Sequence, residues 1–508
     1  MSDAVVEPPS TVRDAGPGPS DVADTLAKLD AARDAATAWA RVDLSDRLAC
    51  VRRFRHLVAE RPDDFLYSVT IPQRRNRAET IASELLPLAD GCKFLEAESP
   101  TILGPRPLPT RSRPDWLKGV EAVEHREPFG VVLIIATWNY PLLLPGIQAI
   151  QALTAGNAVL LKPGPAGADA AATLVEALRD CGVPEDAVAL LPDSVEAAQT
   201  AIDPSPEVRG VDKIALTGAA ATGRAVLAQA AERLTPAAME LSGCDAVFVR
   251  GDADLDLVTK CLALGMTFNG SATCIAPRRV FVHDAVAEEL GTRLKNAFAD
   301  VPSAPVDRRI ADRLDALVAD ATAAGASLAA GSIDDGDPAT VMPHLLLDVS
   351  PDAELVRSDV FAPVLSVMPV ADDRAALAAD GNCPYALGAT VFGREDAARE
   401  LAACVDAGCV VINDFLIPTA DPRVAFGGRG ESGFGVTRGG EGLREMTRPK
   451  TVLVQKSSWR PHLDPPTPGH EDFFKNYLRW QHAENASDRR AGMFAFLKEV
   501  YAQWRAKR

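Results

Sequence analysis

Val131 to Leu161 reads VVLIIATWNYPLLLPGIQAIQALTAGNAVLL, a stretch without a single charged residue. It exceeds the ~20 residues that a helix needs to cross a bilayer, so it is either a membrane segment or the buried heart of a folded domain. Pro141, Pro145 and Gly146 interrupt any continuous helix. Asn139, Gln148, Gln151 and Asn157 would need hydrogen-bond partners that lipid does not offer. The reading that fits is a buried strand, Val131-Val132-Leu133-Ile134-Ile135, then a turn and a helix, then a second strand at Ala158-Val159-Leu160-Leu161.

Working outward, Ala187-Val188-Ala189-Leu190-Leu191 and Lys213-Ile214-Ala215-Leu216 repeat the pattern, and Ala246-Val247-Phe248-Val249 extends the same rhythm as a fifth strand. Short continuous apolar runs separated by Ala-rich helical stretches predict a parallel sheet covered on both faces, so the first half reads as a doubly wound α/β domain. Val280-Phe281-Val282, Val364-Leu365-Ser366-Val367 and Cys409-Val410-Val411-Ile412 predict a second α/β domain. Upstream, Asp24 to Glu60 and Asn76 to Glu98 have helical spacing, with Pro62 closing the first pattern, and Gly104 to Pro114 is rich in proline. Residues 1–23 read as a disordered lead-in without the basic start and apolar core of a secretory signal. Past Lys456 a Pro- and Gly-containing linker precedes an amphipathic helix from Glu471 to Arg508 that carries Phe473, Phe474, Tyr477, Trp480, Phe494, Phe496, Leu497, Tyr501 and Trp504.

The chain has 508 residues, enough for up to about three domains, and a 47% apolar composition that supplies an ample core. With 53 Lys+Arg against 70 Asp+Glu the net charge is −17, which argues against nucleic acid or anionic lipid as a partner, a local basic patch aside. Residues 457–508 hold 9 basic and 6 acidic residues and are positive against that background. Nine cysteines are scattered without a C-x-x-C pair, a usage that suits free thiols in a reducing, cytoplasmic setting.

Gly428-x-Gly430-x-x-Gly433 matches a dinucleotide fingerprint by pattern, but the surrounding Gly427 to Gly440 is too polar and glycine-rich to follow a buried strand and open a helix, and it reads as a tightly turning loop. A better candidate is Leu216-Thr217-Gly218-Ala219-Ala220-Ala221-Thr222-Gly223, a turn after the Lys213 strand that leads into a helix expected over Arg224 to Glu232. Small residues there leave backbone N–H groups free to face a phosphate. Three further residues carry chemistry. Cys274 lies in the small-residue loop Phe268-Asn269-Gly270-Ser271-Ala272-Thr273-Cys274, where a thiol can be activated. Glu240 in Met239-Glu240-Leu241-Ser242-Gly243 is a carboxylate among apolar neighbours, a setting that raises its pKa into general-base range. Asn139 offers amide N–H donors suited to an oxyanion.

Taken together and in order, these motifs resemble the aldehyde dehydrogenase superfamily over residues 24–456. The resemblance rests on Glu127-Pro128-Phe129-Gly130-Val131, Trp138-Asn139-Tyr140-Pro141, Gly156 to Pro163, Asp212 to Gly218, Glu240-Leu241-Ser242-Gly243, the Cys274 loop, and Phe426-Gly427-Gly428 with Glu431 to Gly435. It implies Cys274 as nucleophile, Glu240 as general base, and Asn139 with the Cys274 N–H as oxyanion hole, in NAD- or NADP-dependent oxidation of an aldehyde through a thiohemiacetal and a thioester. It further implies cofactor contacts from Trp138, Lys162, Thr217, Gly218, Ala219, Gly223, Leu241, Asp359 and Phe361, and no metal. The domains implied are a Rossmann-like cofactor domain over residues 24–241, a catalytic domain over 242–445, an oligomerisation hairpin near 109–127 with a strand at 446–456, and a homodimer or homotetramer.

Departures from that pattern are Pro165 where NAD-preferring members often carry Glu, Asp359 in place of Glu, Ser242 and Cys244 in place of Gly and Lys, and Ser271 in place of Gly. Two other readings remain open on sequence: acyl transfer to coenzyme A, against which Glu240 speaks, and a catalytically silent cofactor-binding scaffold.

Overall fold

The computed structural model describes residues 19–458, 460–463 and 465–506. Its described residues divide into two compact units, one within the bounds Met1–Gly104 and Arg126–Lys450 and the other within Pro105–His125 and Thr451–Arg508. The expected lead-in falls largely outside the described residues, and a helix begins earlier than expected, at Pro19–Trp39, followed by a second at Leu44–Glu60. The second helix ends at Glu60 ahead of Pro62, as expected, and Pro62 then opens a separate short helix, Pro62–Tyr67, at a position where a missing N–H costs nothing.

The first unit holds two sheets. The smaller has the order Gly433–Phe434, Ala237–Leu241, Lys213–Gly218, Val131–Ile135, Ala158–Lys162, Val188–Leu190. All its pairings are parallel except the Gly433–Phe434 edge. Side chains alternate along Val131–Ile135: Val132 and Ile134 enter one core cluster, Val131, Leu133 and Ile135 the other. Both faces are therefore covered, and each fully buried aliphatic contributes ~1.5–3 kcal/mol by leaving water. That is the doubly wound sheet the apolar runs predict. The chain leaves the central Val131–Ile135 strand toward Val188 and later returns to its other side at Lys213, so the strand order reverses between Val131–Ile135 and Lys213–Gly218. Ligand crevices form outside the carboxyl ends of strands at such a switch point.

The larger sheet has the order Ala304–Val306, Ala339–Leu347, Val364–Val370, Pro277–His283, Asp245–Val249, Gly388–Phe392, Cys409–Ile412, with Ser327–Ile333 paired to Ala339–Leu347. The fifth apolar run thus belongs here, near the centre, and not to the first sheet; it follows the Ala237–Leu241 strand of the first sheet with no helix between them.

The uncharged stretch becomes strand Val131–Ile135, helix Leu143–Ala155 and strand Ala158–Lys162. Its amide nitrogens have partners, whereas the buried Thr154 Oγ1 and Gln148 Oε1 have none. Asn157 Nδ2 donates to Ala152 O at 3.0 Å and Met446 O at 2.9 Å, and Gln148 Nε2 donates to Thr217 Oγ1 at 3.0 Å. The helix stops at Gly156, whose φ of 99° is a left-handed value that glycine adopts without steric cost. Among the described residues no helix is long and apolar enough to cross a membrane.

The helix after the Lys213 strand is Ala220–Arg233, four residues longer at its start than expected. Gly223 is therefore not part of the turn. It sits in the first helical turn, where a Cβ would come within 2.8 Å of Leu241 Cδ2, so it serves close packing on the neighbouring strand. The expected 76–98 helix runs as Arg77–Thr80, a π-helical turn Ile81–Leu85, and Leu86–Leu103, with Pro100 inside its last turn.

The second unit has a three-stranded sheet in the order Arg106–Pro107, Val120–Pro128, Thr447–Gln455. Its tail is not one helix but two, Glu471–His482 and Ala486–Ala506, because the chain turns extended at Ala483. The two close on an aromatic cluster, with Phe473, Tyr477 and Trp480 at 4.8, 5.4 and 5.3 Å from the Phe496 ring centroid. Trp504 lies among residues whose side chains are not described.

Candidate active site

Glu240 lies on the Ala237–Leu241 strand beside Thr217, its parallel partner in the sheet, and opposite Gly433. It is 3% exposed. One carboxylate oxygen accepts from Thr437 Oγ1 at 3.1 Å, and the other is buried with no partner. Burial pushes its pKa up, against the opposing pull of the Arg438 charge and the Thr437 hydroxyl. Immediately after this strand, a Cβ at Gly243 would fall on the Cys274 carbonyl oxygen. The absence of a side chain there brings the Glu240 segment against the cysteine loop.

That loop is built from an unusual backbone. Asn269, Gly270 and Ser271 have φ values of 51°, 56° and 64° in succession, a conformation costing non-glycine residues roughly 1–2 kcal/mol each. Buried hydrogen bonds hold it. Arg278 donates to Ser271 Oγ and Ser271 O, both at 2.6 Å. Asn269 Nδ2 donates to Asn139 O and Ala272 O, both at 3.1 Å, and Arg74 Nε donates to Asn269 Oδ1 at 3.0 Å. Cys274 is partly exposed. Burial pushes its thiol up, with the Glu240 and Asp245 carboxylates adding to the rise, while Arg438 and the Ile275 N–H oppose it.

Asn139, 3% exposed, sits just past the carboxyl end of the Val131–Ile135 strand. Its Oδ1 accepts from Thr137 Oγ1 at 2.8 Å, which fixes the amide orientation and leaves Nδ2 to donate to Ala272 O at 3.0 Å. An amide nitrogen carries two hydrogens, and this bond uses one of them beside the cysteine loop. Next to it, Tyr140 OH lies 2.7 Å from Thr273 Oγ1. The three residues singled out for chemistry, from three distant parts of the chain, therefore meet at one place.

Of the expected cofactor residues, Thr217, Gly218 and Ala219 lead into the Ala220–Arg233 helix, whose start has no side-chain cap. Its first N–H groups can therefore meet an anion. A Cβ at Gly218 would meet only Leu216 Cδ2, at 3.6 Å, so the space over this turn is open. Leu241 forms a wall nearby, packed on Gly223. Lys162 ends the strand adjacent to Ile135, and burial lowers its pKa against the pull of Asp193. Trp138 and Phe361 form an edge-to-face pair with centroids 6.1 Å apart. Asp359 has one buried oxygen without a partner. Burial pushes its carboxyl up, opposed by a hydrogen bond from Ser242 and by Arg278 and Arg313. Gly223 is the exception, being buried under the helix start.

Sequence reasoning missed the polar residues that hold the site. Arg74, with its side chain 4% exposed, pairs with the fully buried Glu84 at 2.7 Å and donates to Asn139 O at 3.0 Å. Glu84 in turn accepts from the N–H groups of Leu142 and Leu143 at the start of the buried helix. Thr437 and Arg438, in the stretch read only as a turning loop, face Glu240 and Cys274.

A doubly wound sheet with an uncapped helix start at its switch point, beside a partly exposed cysteine and a buried carboxylate and amide, is the arrangement of a two-sheet α/β enzyme. The chain belongs to the aldehyde dehydrogenase family, whose sequence model matches residues 7–452. It is 32% identical over 452 residues to the NADP(+) succinate-semialdehyde dehydrogenase of Deinococcus radiodurans, covering 86% of this chain and 92% of that protein. It is 29% identical over 476 residues to the 4,4'-diapolycopene aldehyde oxidase of a Methylomonas species, covering 90% and 87%. The crystal structure of an NADP-dependent enzyme from E. coli shares the fold, with a TM-score of 0.79 and 23% identity over 86% of this chain and 91% of that one.

Proposed function

We propose that this protein oxidises an aldehyde to its carboxylic acid, with Cys274 as nucleophile, Glu240 as general base, and Asn139 with the Cys274 N–H as oxyanion donors. One observation carries the reading: the Asn139 amide is hydrogen-bonded into the cysteine loop while Glu240, packed against that loop, presents a buried oxygen without a partner. In this reading the Cys274 thiolate bonds to the carbonyl carbon, and the electron pair of the C=O bond moves to oxygen, where the amide N–H groups stabilise it. A bound nicotinamide dinucleotide supplies the hydride acceptor. Departure of hydride from the thiohemiacetal leaves a thioester on Cys274. Glu240 then takes a proton from water, the hydroxide adds to the thioester, and the thiolate leaves as the acid is released. Its raised pKa makes Glu240 a stronger base than an exposed carboxylate.

The residues present fit the dinucleotide. The uncapped helix start at Ala220 suits a pyrophosphate, with Thr217, Gly218 and Ala219 beneath it. The orphaned Asp359 oxygen suits a ribose hydroxyl, Lys162 the adenosine ribose, and Trp138, Leu241 and Phe361 the walls. NAD and NADP both fit. Pro165 places no carboxylate to repel a 2′-phosphate, and the NADP named for the Deinococcus relative supports NADP. The edge strand Thr447–Gln455, with Val452, Leu453 and Val454 exposed, supports a homodimer or homotetramer.

Wild-type protein given a graded panel of aldehydes with NAD or NADP is expected to generate reduced cofactor, and Cys274→Ala none. Turnover by Cys274→Ala equal to wild type would refute the assignment.

A further inference from the structure

Around the thiol that the proposed chemistry requires, Glu240 and Asp245 favour the neutral form and the buried Arg438 opposes them; Arg438 faces Glu240 and Cys274, while the buried Arg278 and Arg279 face Asp245. This inference rests on that chemistry and extends it. Arg438 is 5% exposed. Its guanidinium is held by carbonyl oxygens, with Nη1 donating to Thr419 O at 2.7 Å and to Pro418 O at 3.3 Å, and it lies 5.2 Å from the Phe426 ring centroid. Its Nε is buried with no partner. The backbone at Arg438 has φ 61°, a left-handed value that a residue with a side chain adopts only when its surroundings enforce it. Its neighbour Thr437 bonds to Glu240, and both residues are locked to Phe426 and Gln151 through backbone and side-chain hydrogen bonds. A guanidinium fixed by neutral carbonyls keeps its full positive charge inside the protein, where the desolvation cost is high. The anions that it faces offset that cost.

We propose that Arg438 is a positioning residue whose fixed charge stabilises the Cys274 thiolate and the Glu240 carboxylate before an aldehyde arrives. The charges around each group fit this role. On Cys274, burial, Glu240 and Asp245 favour the thiol, and Arg438 with the Ile275 N–H favours the thiolate. On Glu240, burial favours the acid, and Arg438 with Thr437 favours the carboxylate. Tyr140 and Cys409 also feel Arg438, but burial holds both in their neutral forms. Removing the charge raises both functional pKa values, so the acid limb of reactivity moves to higher pH.

The test is the rate of Cys274 alkylation by iodoacetamide from pH 6 to 10, located by peptide mass, in wild type, Arg438→Met and Arg438→Lys. Arg438→Met is expected to move the midpoint up by about one pH unit, which is about tenfold slower alkylation at pH 7. Arg438→Lys, which keeps the charge and loses the fork to Pro418 and Thr419, is expected to keep the wild-type midpoint. Should Arg438→Met not fold, Arg438→Gln is read by the same criterion. A neutral variant with a lowered plateau and an unmoved midpoint overturns the proposal, as does an equal displacement in the Lys variant. Either result leaves the Cys274 chemistry standing, whereas turnover by Cys274→Ala removes that chemistry and this role together.

Discussion

Replacing Arg74 by Met removes the cation from the most buried ion pair near the site. Arg74 and Glu84 are 2.7 Å apart with side chains 4% and 0% exposed. Arg74 also bonds Asn269 Oδ1 and Asn139 O and stacks 5.1 Å from the Tyr140 ring centroid. Breaking a buried pair by removing one partner costs ~3–5 kcal/mol, because an uncompensated charge stays behind. Here Glu84 keeps two backbone donors, at 2.6 and 2.9 Å, so the cost belongs at the lower end, about 3 kcal/mol.

The pH dependence has a definite sign. Burial already pushes the Glu84 carboxyl above its ordinary value, and Arg74 is the leading opposing influence. Without Arg74 the folded pKa rises further above the unfolded value of ~4.3. The native state then binds more protons than the unfolded state, so stability falls as pH rises above ~4.3 until the folded pKa is passed. Urea unfolding followed by tryptophan fluorescence is expected to show a lowered midpoint for Arg74→Met, with a larger deficit at pH 8 than at pH 5, and partial recovery in Arg74→Met/Glu84→Gln. The midpoint is the quantity to compare, since a chain with two sheets need not unfold in two states. A loss under about 1 kcal/mol at both pH values, or a larger deficit at pH 5, refutes the reasoning.

Asn139→Ala removes the side-chain oxyanion donor together with its bond to the Ala272 carbonyl; kcat is expected to fall about 10²–10³-fold with KM little changed, and steady-state kinetics within about threefold of wild type would exclude Asn139 from that role. Pro165→Glu adds a carboxylate near Lys162 and is expected to raise KM for NADP by about tenfold, roughly 1.4 kcal/mol, while changing KM for NAD less. Equal effects on the two cofactors would place the 2′-phosphate elsewhere.

The apolar runs made the first sheet legible, because strands buried on both faces have no polar alternation to hide them. Strand membership was harder to read: Ala246 to Val249 looks like its predecessors, and only its pairing with Pro277–His283 and Gly388–Phe392 puts it in the second sheet. The Gly223 misreading has a local cause. Thr217 and Gly218 stay extended while Ala220 to Thr222 are already helical, and a small residue reads alike whether it turns the chain or packs under Leu241. The tail hairpin carries no proline at its break, only the extended Ala483. Cys274, Glu240 and Asn139 were candidates one by one from their local contexts, but their joint roles came from resemblance, since separations this long leave no periodicity to detect. Arg74, Glu84 and Arg438 escaped because a buried charge looks in sequence like any surface one. Two departures from the family pattern acquire partners: Ser242 bonds to Asp359, and Ser271 is clamped by Arg278. The structure gives no account of Cys244 in place of Lys.

The central claim is that Cys274 carries the acyl group and Glu240 delivers the water that removes it. Glu240→Gln, mixed with a turned-over aldehyde and NADP, is the direct test, read by peptide mass after quenching. The account predicts one burst of reduced cofactor and a Cys274 peptide heavier by the aldehyde less two hydrogens. An unmodified Cys274 alongside continuous turnover, or the acyl group on another cysteine, would contradict it.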